Sequence, residues 1–286
     1  MSSDKSFWMR ILGGKAETNS REISSNEKKD SHGKKGVSVD LNAPEYAMEE
    51  GLKGLSWVTS SRAKISKIRK KTRESFGEEV GNALTHGVMA LFMLGMLPFA
   101  AIRTSERAPQ GSRTLDTITV SIFIICVFFM FLTSTIYHIM PFGTAHKRVT
   151  NRLDHIMIYF AIAGTYTPIC LSVIGGALGL GLCIAQWTLV LAGTLFKSLA
   201  FSRSVKAWIL TIGIYILMGW MVCLCMPALL SGATTPAFWL ILSGGVCYTL
   251  GIVCFSMKFP FAHMVWHFFV DFGAICHFIA IVFFLR

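Results

Sequence analysis

With 286 residues, 53% of them hydrophobic and only 15% charged, the chain is too apolar for an ordinary soluble enzyme and reads as a polytopic membrane protein. Its net charge of +11 does not point to nucleic acid, because most of the excess sits beside apolar segments, where membrane orientation and anionic lipid account for it. All eight cysteines lie in apolar stretches and none forms a C-x-x-C pair, so neither a disulfide framework nor a zinc ribbon is expected and the thiols read as small packing groups.

Residues 1–75 are rich in Ser, Lys, Glu and Gly and poor in aliphatics, a composition that cannot bury enough surface to offset the entropy of ordering. A disordered basic N-terminal tail is expected there. It has no continuous apolar core of a secretory leader, and Ser2 rather than Gly follows Met1, so neither cleavage nor myristoylation is expected. Residues 62–73 carry seven cations, Arg62, Lys64, Lys67, Arg69, Lys70, Lys71 and Arg73. They suit either an orientation signal or a contact with anionic inner-leaflet lipid worth about 1 kcal/mol per basic residue.

Seven apolar runs follow, near 80–102, 115–140, 153–175, 177–198, 206–227, 235–257 and 261–285. Each approaches the roughly 20 residues that cross a hydrocarbon core about 30 Å thick. The runs are long and lack the alternation of barrel strands, so helices are predicted, each pairing its own backbone in lipid. The expected fold is an all-α membrane protein, with seven transmembrane helices filling 76–286. Lys147, Arg148, Arg152, Lys197, Arg203, Lys206 and Lys258 fall on the same side as the tail, against Arg103, Arg107, Arg113 and Arg286 on the other. That asymmetry predicts a cytoplasmic N-terminus and an outside C-terminus. No oligomeric state is assigned by these patterns.

Two polar pairs stand out inside the apolar runs, Ser134/His138 in span 2 and His263/His267 in span 7. At i,i+4 each pair forms a stripe on one face of a helix. Polar groups at bilayer depth are costly and normally face a bundle interior or a water-filled cavity. The predicted topology puts His138, Asp154, His263 and His267 near one membrane surface, together with Glu79, Asn82 and His86, whose i, i+3, i+7 spacing gives them one face of span 1. Three neutral imidazoles suit zinc with one position open to water, so His138, His263 and His267 are the predicted ligands. Asp154 either binds the metal directly or, as preferred here, hydrogen-bonds the metal-bound water as a general base. Ser134 is placed to orient a ligand or donate to a developing oxyanion. Taken singly, His86, His155, His277 and Asp271 fit structural hydrogen bonding, and His32 and His146 fit solvated side chains. Trp187, Trp208, Trp239 and Trp266 fit interfacial anchors.

At these residues the chain resembles the haemolysin III-related, progestin and adipoQ (adiponectin) receptor family. The strings that carry the likeness are EEVGNALTHG (78–87), STIYH (134–138), RLDHIMIYFAIAGTYTP (152–168) and HMVWHFFVDFGAICHF (263–278), and the AGTYTP portion is similar to the haemolysin III branch. The resemblance implies seven helices with the N-terminus inside and a zinc held by one histidine of span 2 and two of span 7, here His138, His263 and His267. It also implies an aspartate at the start of span 3, Asp154, reaching the metal through water, and a serine in span 2, Ser134. A likeness of the family to membrane ceramidases implies hydrolysis of a lipid amide, while its receptors imply ligand sensing around a structural zinc; a lytic pore finds no continuous polar lining. Asp271 has no clear place in the family pattern.

Overall fold

A computed structural model describes residues 75–199, 205–257 and 259–284, without the side chains of Val205 and Lys206. The tail expected over 1–75 and its basic stretch at 62–73 lie outside the described residues, Ser75 excepted. The described residues form helices and turns with no strand among them. Seven helices are long and apolar enough to cross a membrane. Span 1 is Phe76–Arg107, span 2 Arg113–Ile139, span 3 Ala145–Ile174 and span 4 Gly176–Leu199, followed by span 5 at Ala207–Gly232, span 6 at Thr235–Ser256 and span 7 at Ala262–Phe283.

Local sequence sets the helix ends. Ser75, Thr144 and Thr234 cap spans 1, 3 and 6, each hydroxyl accepting from the backbone N–H three residues on, at 3.1 Å from Glu78, 3.1 Å from Lys147 and 3.3 Å from Ala237. The cap at Thr144 explains the largest boundary difference from the sequence reading. Hydropathy placed a connection over 141–152, but the helix already starts at Ala145, and its first two turns are polar enough to hide from an apolar scan. At the other end of span 3, Pro168 leads into a π-helical turn over Ile169–Ile174, which stops at Gly175 and Gly176 with φ of 64° and 57°. Only glycine takes that left-handed backbone without steric cost.

Span 5 is broken. An α-helix to Trp220 gives way to a 3-10 turn over Met221–Cys225 and resumes from Met226 to Gly232. Backbone groups released in lipid need partners. The Tyr166 hydroxyl donates to Gly219 O at 2.6 Å and accepts from Val222 N–H at 2.9 Å, while Gln186 Nε2 donates to Met218 O at 2.8 Å. The AGTYTP string therefore repairs the break in a neighbouring helix. Tyr166→Phe is expected to cost about 1–3 kcal/mol by stranding both backbone groups. Thermal unfolding in detergent checks it, and an unchanged midpoint would show that the break has other partners.

Burial separates inner from outer helices. The most apolar windows of spans 3, 7 and 2 are 61%, 56% and 50% buried, against 17% for span 6, so the polar stripes of spans 2, 3 and 7 lie on the three most enclosed helices. Between them pack Met93, Phe123, Val127, Phe131 and Phe278, while Leu84, Leu91, Leu191 and Leu224 face outward as lipid-facing surface. Two of the tryptophans also have partners inside the bundle: Trp187 Nε1 donates to Thr167 Oγ1 at 3.2 Å, and Trp266 packs beside the His263 ring.

Candidate metal centre

The start of span 1, the end of span 2 and the starts of spans 3 and 7 meet at one end of the bundle, as contacts among Glu79, His138, Lys147 and His263 require. There His138, His263 and His267 each offer a ring nitrogen, and the three atoms lie within 4.8 Å of one another. Tetrahedral nitrogens about 2.1 Å from a metal are about 3.4 Å apart, so little movement closes the set. His138 and His267 are buried and His263 is half-buried, which leaves one flank of the site open. Span 7 enters the site through Phe261, whose φ of 61° is rare for a bulky residue and sets the direction in which His263 leaves the preceding turn.

Hydrogen bonds fix which ring nitrogen faces the shared point. His138 Nδ1 lies 2.8 Å from Glu79 Oε2, and a carboxylate only accepts, so Nδ1 carries the proton and Nε2 keeps its lone pair. Thr85 Oγ1 lies 3.1 Å from Asn82 O and 3.2 Å from His267 Nδ1. Its single proton goes to the carbonyl, so its oxygen accepts from His267 Nδ1–H. His267 Nε2 then carries a lone pair, and that atom is buried with no hydrogen-bond partner. Two imidazoles are thus held in the tautomer that ligates a borderline-soft cation, and the donor set fits zinc. Thr85→Val should weaken metal binding about 10–100-fold, as loss of a ligand's outer partner does. Competition with a chelating dye measures it, and wild-type affinity would reject the tautomer argument.

The other predicted residues are placed differently. Glu79 and Asn82 are both buried; Glu79 binds His138 directly, and Asn82 receives the Thr85 hydroxyl. His86 stacks on His267 with ring centroids 3.6 Å apart and planes 5° from parallel, and its Nε2 is 3.7 Å from Asp271 Oδ1. Asp271 therefore stands behind the triad, one ring removed. Asp154 is buried but does not join the converging histidine atoms; its Oδ2 is 3.7 Å from His155 Nδ1. Ser134 is buried one turn from His138. Thr133 and Thr135 on either side give their hydroxyls to carbonyls of their own helix, whereas Ser134 Oγ has no hydrogen-bond partner. His155 and His277 fit the structural reading, bonding to Asn151 O at 2.7 Å and Ile241 O at 3.0 Å. His146 is exposed, as expected for a solvated side chain.

Thr85 and Lys147 were not singled out as site residues from the sequence. Thr85 follows Asn82 by three residues and so borders the polar face of span 1, the one signal available. Lys147 counted only toward orientation. Beside the histidines lies a cavity of about 270 Å³, close to the lower size of small-molecule pockets. Its wall includes Asp154, His155, Lys197, His263, Trp266 and Tyr248.

Residues 75–278 match the family described as Haemolysin-III related. The chain is 34% identical over 209 residues to "Hemolysin-3" of Bacillus cereus, covering 73% of this chain and 92% of that protein. It is 33% identical over 211 residues to "Hemolysin-3 homolog" of Bacillus subtilis (strain 168), covering 72% and 94%. A more distant similarity, 31% over 160 residues, reaches the human "Monocyte to macrophage differentiation factor", covering 53% of this chain and 64% of that one.

Proposed function

This chain belongs to the Haemolysin-III related family and is an integral multi-pass membrane protein, and we propose that it is a zinc-dependent hydrolase of a lipid amide bond. The observation that carries the reading is the convergence of His138, His263 and His267 beside a cavity whose wall includes His263 and Asp154. Zinc bound there would polarise a carbonyl and lower the pKa of water to about 7. Asp154 accepts the proton of the attacking water and returns it to the leaving amine as the C–N bond breaks, with His155 beside it at 3.7 Å. Ser134 supplies its hydroxyl to the developing oxyanion, a donor with no competing hydrogen bond. The aromatic and aliphatic wall takes an acyl chain and excludes bulk water. With the tail in the cytoplasm, as the distribution of Lys and Arg favours, the centre lies near the inner leaflet.

Fatty-acid release from amide lipids in liposomes, followed by mass spectrometry, tests this. Release that is abolished by a chelator and restored by zinc is expected. Zinc bound with no fatty acid freed from any amide lipid would reject the hydrolase. A second reading, a ligand-sensing receptor with a structural zinc, is favoured by the buried contacts from Glu79 of span 1 to His138 of span 2 and Lys147 of span 3. In that case His263→Ala should unfold the protein rather than spare the fold and remove turnover.

A further inference from the structure

We propose that Lys147 is a positioning residue for the metal, clamping Glu79 so that Glu79 aims His138, and that the turn between spans 2 and 3 thereby responds to metal loading. The inference rests on the metal reading above. Lys147 is 6% exposed, an unusual state for a lysine, and its Nζ lies 2.8 Å from both Glu79 oxygens. Glu79 Oε2 is shared, since it also accepts from His138 Nδ1 at 2.8 Å. A glutamate has three rotatable side-chain bonds and one hydrogen bond to an imidazole leaves it free to swing. The second anchor from Lys147 fixes the carboxylate, and the carboxylate fixes the ring.

Lys147 is itself held. Its Nζ lies 4.6 Å from the Tyr137 ring centroid and 4.4 Å from that of Phe142, one ring from the last turn of span 2 and one from the connecting turn. Thr144 caps the helix on which Lys147 stands. Residues 140–147 are therefore joined to the histidine centre by an unbroken set of contacts, Phe142 to Lys147 to Glu79 to His138. Ordering His138 on a cation should steady that turn, and removing the lysine should uncouple the two.

Two measurements on the full-length protein in detergent test the clamp, with zinc as the probe. Lys147→Met is expected to lower zinc affinity about 10–100-fold, and Lys147→Arg to recover most of it by restoring a bidentate cation. Hydrogen exchange over 140–147 should slow on adding zinc to wild type and be unaffected by zinc in Lys147→Met. A purely structural lysine would shift the unfolding midpoint while leaving zinc affinity and the zinc-dependent exchange intact, and that result overturns the proposal. Should Lys147→Met not fold, Lys147→Gln and Phe142→Leu carry the same comparison, and wild-type affinity and exchange response in both would overturn it as well. Failure of wild type to bind zinc at all would instead strike the metal reading on which the clamp depends.

Discussion

Asp154→Asn is expected to leave the protein folded and loaded with metal while lowering amide hydrolysis about 10²–10⁴-fold, the usual worth of a positioned general base. The substitution keeps size and shape and removes only the ability to take a proton. Asp154 is buried on the cavity wall, outside the set of converging histidine nitrogens, so its loss takes nothing directly from the cation. Its near neighbour His155 is committed to Asn151 O at 2.7 Å and is poorly placed to substitute. The readouts are zinc content, unfolding midpoint and turnover measured together. Loss of zinc along with turnover would make Asp154 a ligand, and undiminished turnover would remove it from the chemistry.

Replacing His267 has the larger effect on the metal. His267→Ala should reduce zinc affinity by more than the roughly 10–100-fold that follows loss of an outer partner, because it deletes a ligand outright. His267 is fully enclosed, its Nδ1 held by Thr85 and its ring stacked on His86, so the side chain is preorganised. Packing loss complicates the variant, since an alanine leaves a hole beside His86. His267→Gln, closer in volume, separates the two effects. Zinc retained at wild-type stoichiometry and affinity in both variants would dismantle the ligand set.

The histidine site was legible because its signals are periodic. Two i,i+4 polar pairs in apolar helices have one inward face each, and the start of span 1 repeated the pattern at Glu79, Asn82 and His86, all three of which are buried together. Seven spans were legible for the same reason, as runs of the length a bilayer demands. What escaped was every contact made between helices by residues with a plausible local role. Lys147 looked like one more cation at a helix end, and nothing in the chain around it says that its carboxylate partner lies 68 residues earlier. Tyr166 sat in a recognisable string, yet its task depends on a break in span 5 that hydropathy does not register, because a 3-10 turn of Met, Val, Cys and Leu is as apolar as a helix. Asp271 could be noticed from sequence and placed only by structure, behind His86 rather than among the converging histidines.

Zinc K-edge absorption of the purified wild-type protein tests the centre most directly. One zinc per chain is expected, with three nitrogen scatterers at about 2.0–2.1 Å, imidazole outer-shell features and one further light atom. A spectrum with sulfur ligands, fewer than three imidazoles, or a preparation that takes up no zinc would contradict it.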